Sequence, residues 1–233
     1  VYGESAIVPA YAVAKYPDRL SAKEGAAIWM QYITAYGALV EYGQVKAGDF
    51  VLITAASSSV GYAAIQIAKA AKAVVIATTR KEAKKQMLQD HGADFVIVTN
   101  AEDLTAKVME ITAGHGADLI FDPVAGSFLE TLANAAARGA IIFEYGALSP
   151  EATTPFPLFP ALQKGLKIQG YTLFEITNNP ALLEKAKQYI YGGLDSGKLL
   201  PLLDRTFRLE EIVEAHRYME SNQQSGKIVV TVP

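Results

Sequence analysis

The 233 residues are 51% hydrophobic and 19% charged, enough chain to bury one large core or two modest ones. A formal net charge of −3 excludes the clustered basic excess of a nucleic-acid binder. No run approaches the roughly 18 uninterrupted apolar residues of a membrane-spanning helix, and the absence of cysteine excludes disulfides and thiolate chemistry, with a cytoplasmic setting the simplest expectation.

The opening runs through Ile7-Val8-Pro9-Ala10 and reads as a strand entered midway, as expected of a piece of a longer polypeptide. From Phe50, apolar runs alternate with helical patterns. Phe50 to Ala55 reads as a strand buried on both faces, followed by a helix from Val60 to Ala71 and a second strand from Val74 to Thr78. A polar helix over Glu82 to His91 is stopped by Gly92. The alternation continues with a strand at Phe95 to Val98, a helix at Leu104 to Ile111, a strand at Leu119 to Phe121, a helix at Phe128 to Ala137 and a strand at Ile141 to Phe143. A sixth strand, Lys167 to Tyr171, is reached through a proline-rich loop over Pro155 to Pro160. Helices over Ala181 to Tyr191 and Leu209 to Ser221 and a strand from Lys227 to Val232 complete the pattern. Parallel neighbours need crossover connections, so this order predicts a doubly wound α/β sheet of about six parallel strands.

Between the first strand and its helix lies Ala56-Ser57-Ser58-Ser59-Val60-Gly61. In a G-x-G-x-x-G turn, small residues let the backbone curl against a pyrophosphate, and the helix N-terminus offers unpaired N–H groups and partial positive charge. Only Gly61 is literal here; Ala56 and Ser58 take the other two glycine positions. The alternative is a serine-rich loop that merely caps a helix. The context of buried strand, small turn, helix and second strand favours a Rossmann dinucleotide site. NAD-binding versions place an acid at the tip of the second strand. This strand ends Thr78-Thr79-Arg80-Lys81, where Arg80 offers a planar fork to a 2′-phosphate and Lys84 follows one turn on. NADP(H) is therefore expected, against the alternatives of a solvated basic face or of Glu82 serving the ribose.

Ile53 to Gly61 and Ala77 to Arg80 resemble the zinc-free quinone oxidoreductase branch of the medium-chain dehydrogenase/reductases. So do Thr34 to Leu39, Gly92-Ala93-Asp94, Phe121 to Gly126, Tyr171 to Phe174, Ala215-His216-Arg217 and Gly226 to Val229. The likeness covers essentially the whole chain. It implies residues 1–25 as the end of a GroES-like, β-rich substrate domain, 26–171 as the Rossmann domain and 172–233 as a segment returning to the substrate domain. It further implies Thr34 on the nicotinamide side and Ser58, Ser59, Val60 and Gly61 at the pyrophosphate. Thr79, Arg80 and Lys84 match the 2′-phosphate pocket, with Thr99 where the family often has tyrosine, and Val124 falls in the matching Phe121 to Gly126 run. Tyr145, Gly146, Ala147 and Phe174 flank the nicotinamide. Core packing is the open alternative for Thr34 and Phe174.

In zinc alcohol dehydrogenases of that superfamily a cysteine ligand precedes the threonine by four positions; here that residue is Met30, a poor zinc donor. His91, His115 and His216 show no ligand spacing, so no metal is expected. Without a Lewis acid, ready hydride acceptors suit the site: quinones and α,β-unsaturated carbonyls. No catalytic residue is assigned, although Tyr32 and Tyr36 lie in the right segment. Rival readings are a non-catalytic NADPH-binding module, a zinc-type alcohol dehydrogenase relative and an enoyl-thioester reductase. The resemblance also implies a homodimer through the Leu166 to Tyr171 edge.

Overall fold

The computed structural model describes residues 3–232; Val1 and Tyr2 of the opening stretch, and Pro233, lie outside the described residues. Six strands, β1 (Phe50–Ile53), β2 (Val74–Thr79), β3 (Phe95–Val98), β4 (Ala117–Asp122), β5 (Ala136–Glu144) and β6 (Lys167–Gly170), form one sheet. Their order is β3-β2-β1-β4-β5-β6 and every pair is parallel. The order reverses between β1 and β4, and the crevice beyond the carboxyl ends of such strands is where ligands of this architecture bind.

Helices α1 (Ala22–Gly25) and α2 (Trp29–Tyr36) precede the sheet, and α2 runs directly into a π-helical stretch, Gly37–Tyr42. The crossovers are α3 (Ser59–Ala70), α4 (Lys85–Asp90), α5 (Leu104–Ile111), α6 (Phe128–Ala135) and α7 (Leu158–Lys164). Beyond the sheet come α8 (Phe174–Thr177), α9 (Pro180–Asp195), β7 (Leu203–Arg208), α10 (Ile212–Glu220) and β8 (Lys227–Thr231), with β7 and β8 paired in parallel as a separate ribbon. Local chemistry sets several of these boundaries. Ser58, Asp103 and Asn179 accept backbone N–H bonds at the starts of α3, α5 and α9, and Pro180 occupies the first turn of α9.

Alternate residues of the strands feed two cores. Val51 and Ile53 join Ile65, Phe121, Phe143 and Tyr171 on one face, while Leu52 joins Ile76, Ile97, Ile120, Leu132 and Ile142 on the other. Complete burial of such a side chain stabilises by about 1.5–3 kcal/mol. This two-sided burial is why the strands read as continuous apolar runs rather than alternating ones. No helix among the described residues is long and apolar enough to cross a membrane.

The structure departs from the sequence reading in several places, among them the predicted Leu209 to Ser221 helix, which opens as a 3-10 turn, Leu209–Glu211, before α10. Ile7 to Ala10 is not a strand: Ile7 is fully exposed and a short 3-10 turn, Ala10–Ala12, follows. Pro9 lacks the N–H a ladder needs, and this segment belongs to neither sheet. β1 stops at Ile53 because Ala55 takes a left-handed conformation, φ 44°, to open the following turn. The Glu82 to His91 helix splits into a 3-10 turn, Glu82–Lys84, and α4. Ala136 and Ala137 leave the predicted helix to begin β5, where Ala117 pairs with Ala136. Finally, the proline-rich loop is helical from Leu158, since Pro160 falls in the first turn of α7, where its missing N–H costs nothing.

Candidate dinucleotide-binding site

The turn after β1 forms a tight backbone cradle at the start of α3. Ser58 is extended at the N-cap of α3, and its hydroxyl accepts from Gly61 N–H at 3.0 Å. The first α3 bond runs from Tyr62 N–H to Ser58 C=O, so the N–H groups of Ser59 and Val60 have no partner within the helix. A Cβ on Gly61 would meet the Ala56 carbonyl oxygen at 2.4 Å, so only glycine lets the helix approach the turn this closely.

The second predicted cluster lies at the tips of β2 and β3. Thr79 is buried, its hydroxyl accepts from Lys81 N–H at 3.2 Å, and Thr99 N–H donates to Thr79 C=O at 2.9 Å. Arg80 is exposed at the tip. Lys84 Nζ reaches back to the cradle, donating to Ser57 Oγ at 3.3 Å and to the carbonyls of Gln224 (2.6 Å) and Asn222 (3.4 Å). Lys81 Nζ also donates to Asn222 C=O, at 3.2 Å. Burial first, then the neighbouring Lys81 and Arg80 charges, lower the Lys84 pKa below the usual lysine range, with Asp204 opposing. Glu82 faces Lys85, 4.0 Å away. The loop carrying Asn222 to Gly226 is fastened over the cradle by Gly226 N–H to Ser57 C=O, 3.3 Å, and by a bridge between Ser58 and Gly226.

Val124, Tyr145, Gly146 and Ala147 belong to two loops that follow β4 and β5. Leu148 N–H donates to Pro123 C=O and Ser149 N–H to Val124 C=O, both at 2.9 Å. Gly146 packs against Pro123 so tightly that a Cβ would meet its carbonyl at 2.9 Å. The Tyr145 ring stacks on Phe121, centroids 3.9 Å apart, and burial raises its phenol pKa strongly. Its hydroxyl is directed toward Ser58 without reaching hydrogen-bond geometry. Ala147 is exposed.

Thr34 and Phe174 stand on neighbouring elements. Tyr171 hydroxyl donates to Ile33 C=O at 3.3 Å, and Gly37 gives room to Tyr171 and Ile176, which seats α8 against the end of α2. Thr34 is buried and its hydroxyl donates to Met30 C=O at 2.6 Å, whereas Phe174 is 61% exposed. Tyr32 is buried with its hydroxyl donated to Gln66, and Tyr36 donates to Glu41, burial pushing its pKa up to about 12.

Sequence reasoning missed an acidic pair at the switch point. Asp122 ends β4, is fully buried, and accepts from Thr54 Oγ1 and from the N–H groups of Val124 (3.0 Å) and Ala125 (2.7 Å). Glu144 ends β5 as its register partner. Burial, then the Asp122 charge, pushes its carboxyl up to about 9. The available signal was an acid closing each of two apolar strand runs. The Asn222 to Ser225 stretch was also missed, having no motif of its own, although Gly226 opens one of the runs that carry the resemblance.

The donor set does not fit a zinc ion. Met30 is 52% exposed, His91 Nδ1 lies 2.7 Å from Met87 C=O and His115 Nε2 2.8 Å from Asp118. Among the described residues no three His, Cys, Asp or Glu side chains converge. A cleft of about 470 Å³ lined by Thr99, Asp103, Phe128 and Thr131 opens beside the β3 tip. A smaller one of about 220 Å³ lies between α10 and β8, lined by His216, Met219 and Val229.

Residues 59–188 match the family model described as zinc-binding dehydrogenase. Human (Homo sapiens) quinone oxidoreductase is 30% identical over 233 residues, covering 98% of this chain and 68% of that protein. One polypeptide of the phenolphthiocerol/phthiocerol polyketide synthase of Mycobacterium tuberculosis is 31% identical over 222 residues, covering 95% of this chain. This chain spans only 10% of that synthase polypeptide. The crystal structure of an NAD-dependent alcohol dehydrogenase superposes with a TM-score of 0.88 at 34% identity, over 100% of this chain and 65% of its own.

Proposed function

This chain belongs to the medium-chain dehydrogenase/reductase superfamily, in its quinone oxidoreductase-like branch, and from that membership we propose that it is an NADPH-dependent oxidoreductase acting on quinones or α,β-unsaturated carbonyls without catalytic zinc. The observation that carries the reading is the pairing of the glycine-tight cradle at Ser58–Gly61 with Arg80, Lys81 and Lys84 at the next strand tip. The N–H groups of Ser59 and Val60 bind the diphosphate at the positive end of α3. Arg80 and Lys84 hold the 2′-phosphate, which gives Lys84 the anion its crowded position favours. Val124 and the Tyr145–Ala147 loop close over the switch point and exclude water there. When bound, the coenzyme supplies the hydride. The residues 172–233 complete the substrate domain begun by residues 1–25, and the outer edge of β6 pairs with a second copy.

Fluorescence titration with NADPH and NADH tests the cofactor assignment. NADPH binds more tightly, and Arg80→Ala or Lys84→Ala each costs about 1.5–3 kcal/mol of NADPH affinity while leaving NADH little changed. Equal affinities for the two coenzymes, which the NAD-dependent relative makes a real alternative outcome, refute it. The polyketide synthase match favours a second reading, an enoyl-thioester reductase module of a larger synthase. Turnover of a quinone, an enone and an enoyl thioester side by side separates the two.

A further inference from the structure

The acidic pair at the ends of β4 and β5 is not among the coenzyme contacts proposed above, and its geometry gives it a different task. Asp122 and Glu144 are register partners on adjacent parallel strands, so their side chains leave the same face of the sheet one strand spacing apart. Burial raises the Asp122 carboxyl above its usual range, but the hydroxyl of Thr54 and two backbone N–H groups oppose that rise, a donor set that suits an ionised carboxylate. Both carboxyl oxygens of Glu144 are buried, and neither receives a donor. A second buried negative charge beside the first, with nothing to solvate it, is avoided by keeping the proton. A neutral Glu144 has one O–H to donate, and the Asp122 carboxylate is beside it. The groups acting on the pair are the Thr54 hydroxyl, the amides of Val124 and Ala125 and the two acids themselves; the Asp122 charge is also felt at the Tyr145 hydroxyl, and none of these supplies a positive charge.

The pair sits between two loops. Asp122 pins the Pro123–Gly126 turn, in which Ala125 holds a left-handed φ of 60°. Glu144 leads directly into the Tyr145–Ser149 loop, whose Tyr145 N–H donates to Asp122 C=O at 2.9 Å. We propose that Glu144 is a positioning residue: held neutral, it donates its carboxyl proton to ionised Asp122 and so latches the Pro123–Gly126 and Tyr145–Ser149 loops together over the cradle, and loss of that proton in alkaline solution releases the latch.

The test begins with the wild-type protein. Infrared spectra of protein labelled with 13C-glutamate contain a protonated-carboxyl band at neutral pH that disappears in alkali; its absence at neutral pH overturns the proposal. Hydrogen exchange then follows the amides of Leu148 and Ser149, which bridge the loops. Their protection, corrected for intrinsic rate, falls by about tenfold or more between about pH 7 and pH 10. In Glu144→Gln, whose amide donates but cannot lose its proton to solvent, the infrared band is gone and protection is retained at the higher pH. Equal loss of protection in wild type and variant overturns the latch. The consequence for the coenzyme rests on the function proposed above: NADPH affinity weakens with the same pH midpoint in wild type and not in the variant. A protein that binds no NADPH at any pH sinks the coenzyme reading alone, because the infrared and exchange results decide the latch without it.

Discussion

Gly61 shows how one missing methyl group sets the distance between a helix and the turn that precedes it. Because the Ala56 carbonyl occupies the space a Cβ would need, Gly61→Ala must push α3 away from the turn and misalign the N–H groups of Ser59 and Val60. The expected result is a loss of about 1–3 kcal/mol of stability from overpacking, together with at least about tenfold weaker coenzyme binding. Thermal melts and a fluorescence titration measure the two. At this scale the sequence was informative wherever a residue's role is local. The cap at Ser58 and the basic tip at Arg80 and Lys84 follow from neighbours a few positions away. Asp122 and Glu144 were opaque for the opposite reason. They are 22 positions apart, and an acid closing an apolar run reads as a surface residue until the strand order puts both tips side by side. The cost of that pair appears in stability. Glu144 has a folded pKa raised to about 9 from a usual value of 4.5, so the folded state binds more protons than the unfolded one between those values. Its contribution is present below about pH 4.5 and is lost as pH rises toward 9.

Among the elements, those with a strong period were legible and those without were not. The five strands from Phe50 to Glu144 and their crossover helices were foreseen because burial on both faces writes an unbroken apolar run. β7 was not: Asp204, Arg205 and Arg208 are exposed, and its pairing with β8 rather than its own pattern makes it a strand. The π-helical stretch from Gly37 to Tyr42 carries no pattern distinct from an ordinary helix. β6 bears on assembly. It is the last strand of the sheet, with Ile168 and Gln169 half-buried, Lys167 and Gly170 exposed, and an outer edge that pairs with nothing among the described residues. Sedimentation equilibrium is expected to give twice the 25.0 kDa chain mass; a monomer would remove β6 as the pairing edge.

For the molecule as a whole, the loop from Asn222 to Gly226 joins parts of the chain some 140 positions apart in sequence. Its carbonyls occupy Lys84, and Gly226 is fastened to Ser57. Whatever settles in the cradle therefore changes the grip on the chain's last strand, and the two equilibria are thermodynamically linked. Coenzyme should slow tryptic cleavage after Lys227 in proportion to its occupancy, while a C-terminal fusion that strains this strand should weaken binding without touching a single phosphate contact. A cleavage rate indifferent to coenzyme would mean that the tail merely rests on the turn and reports nothing about its contents.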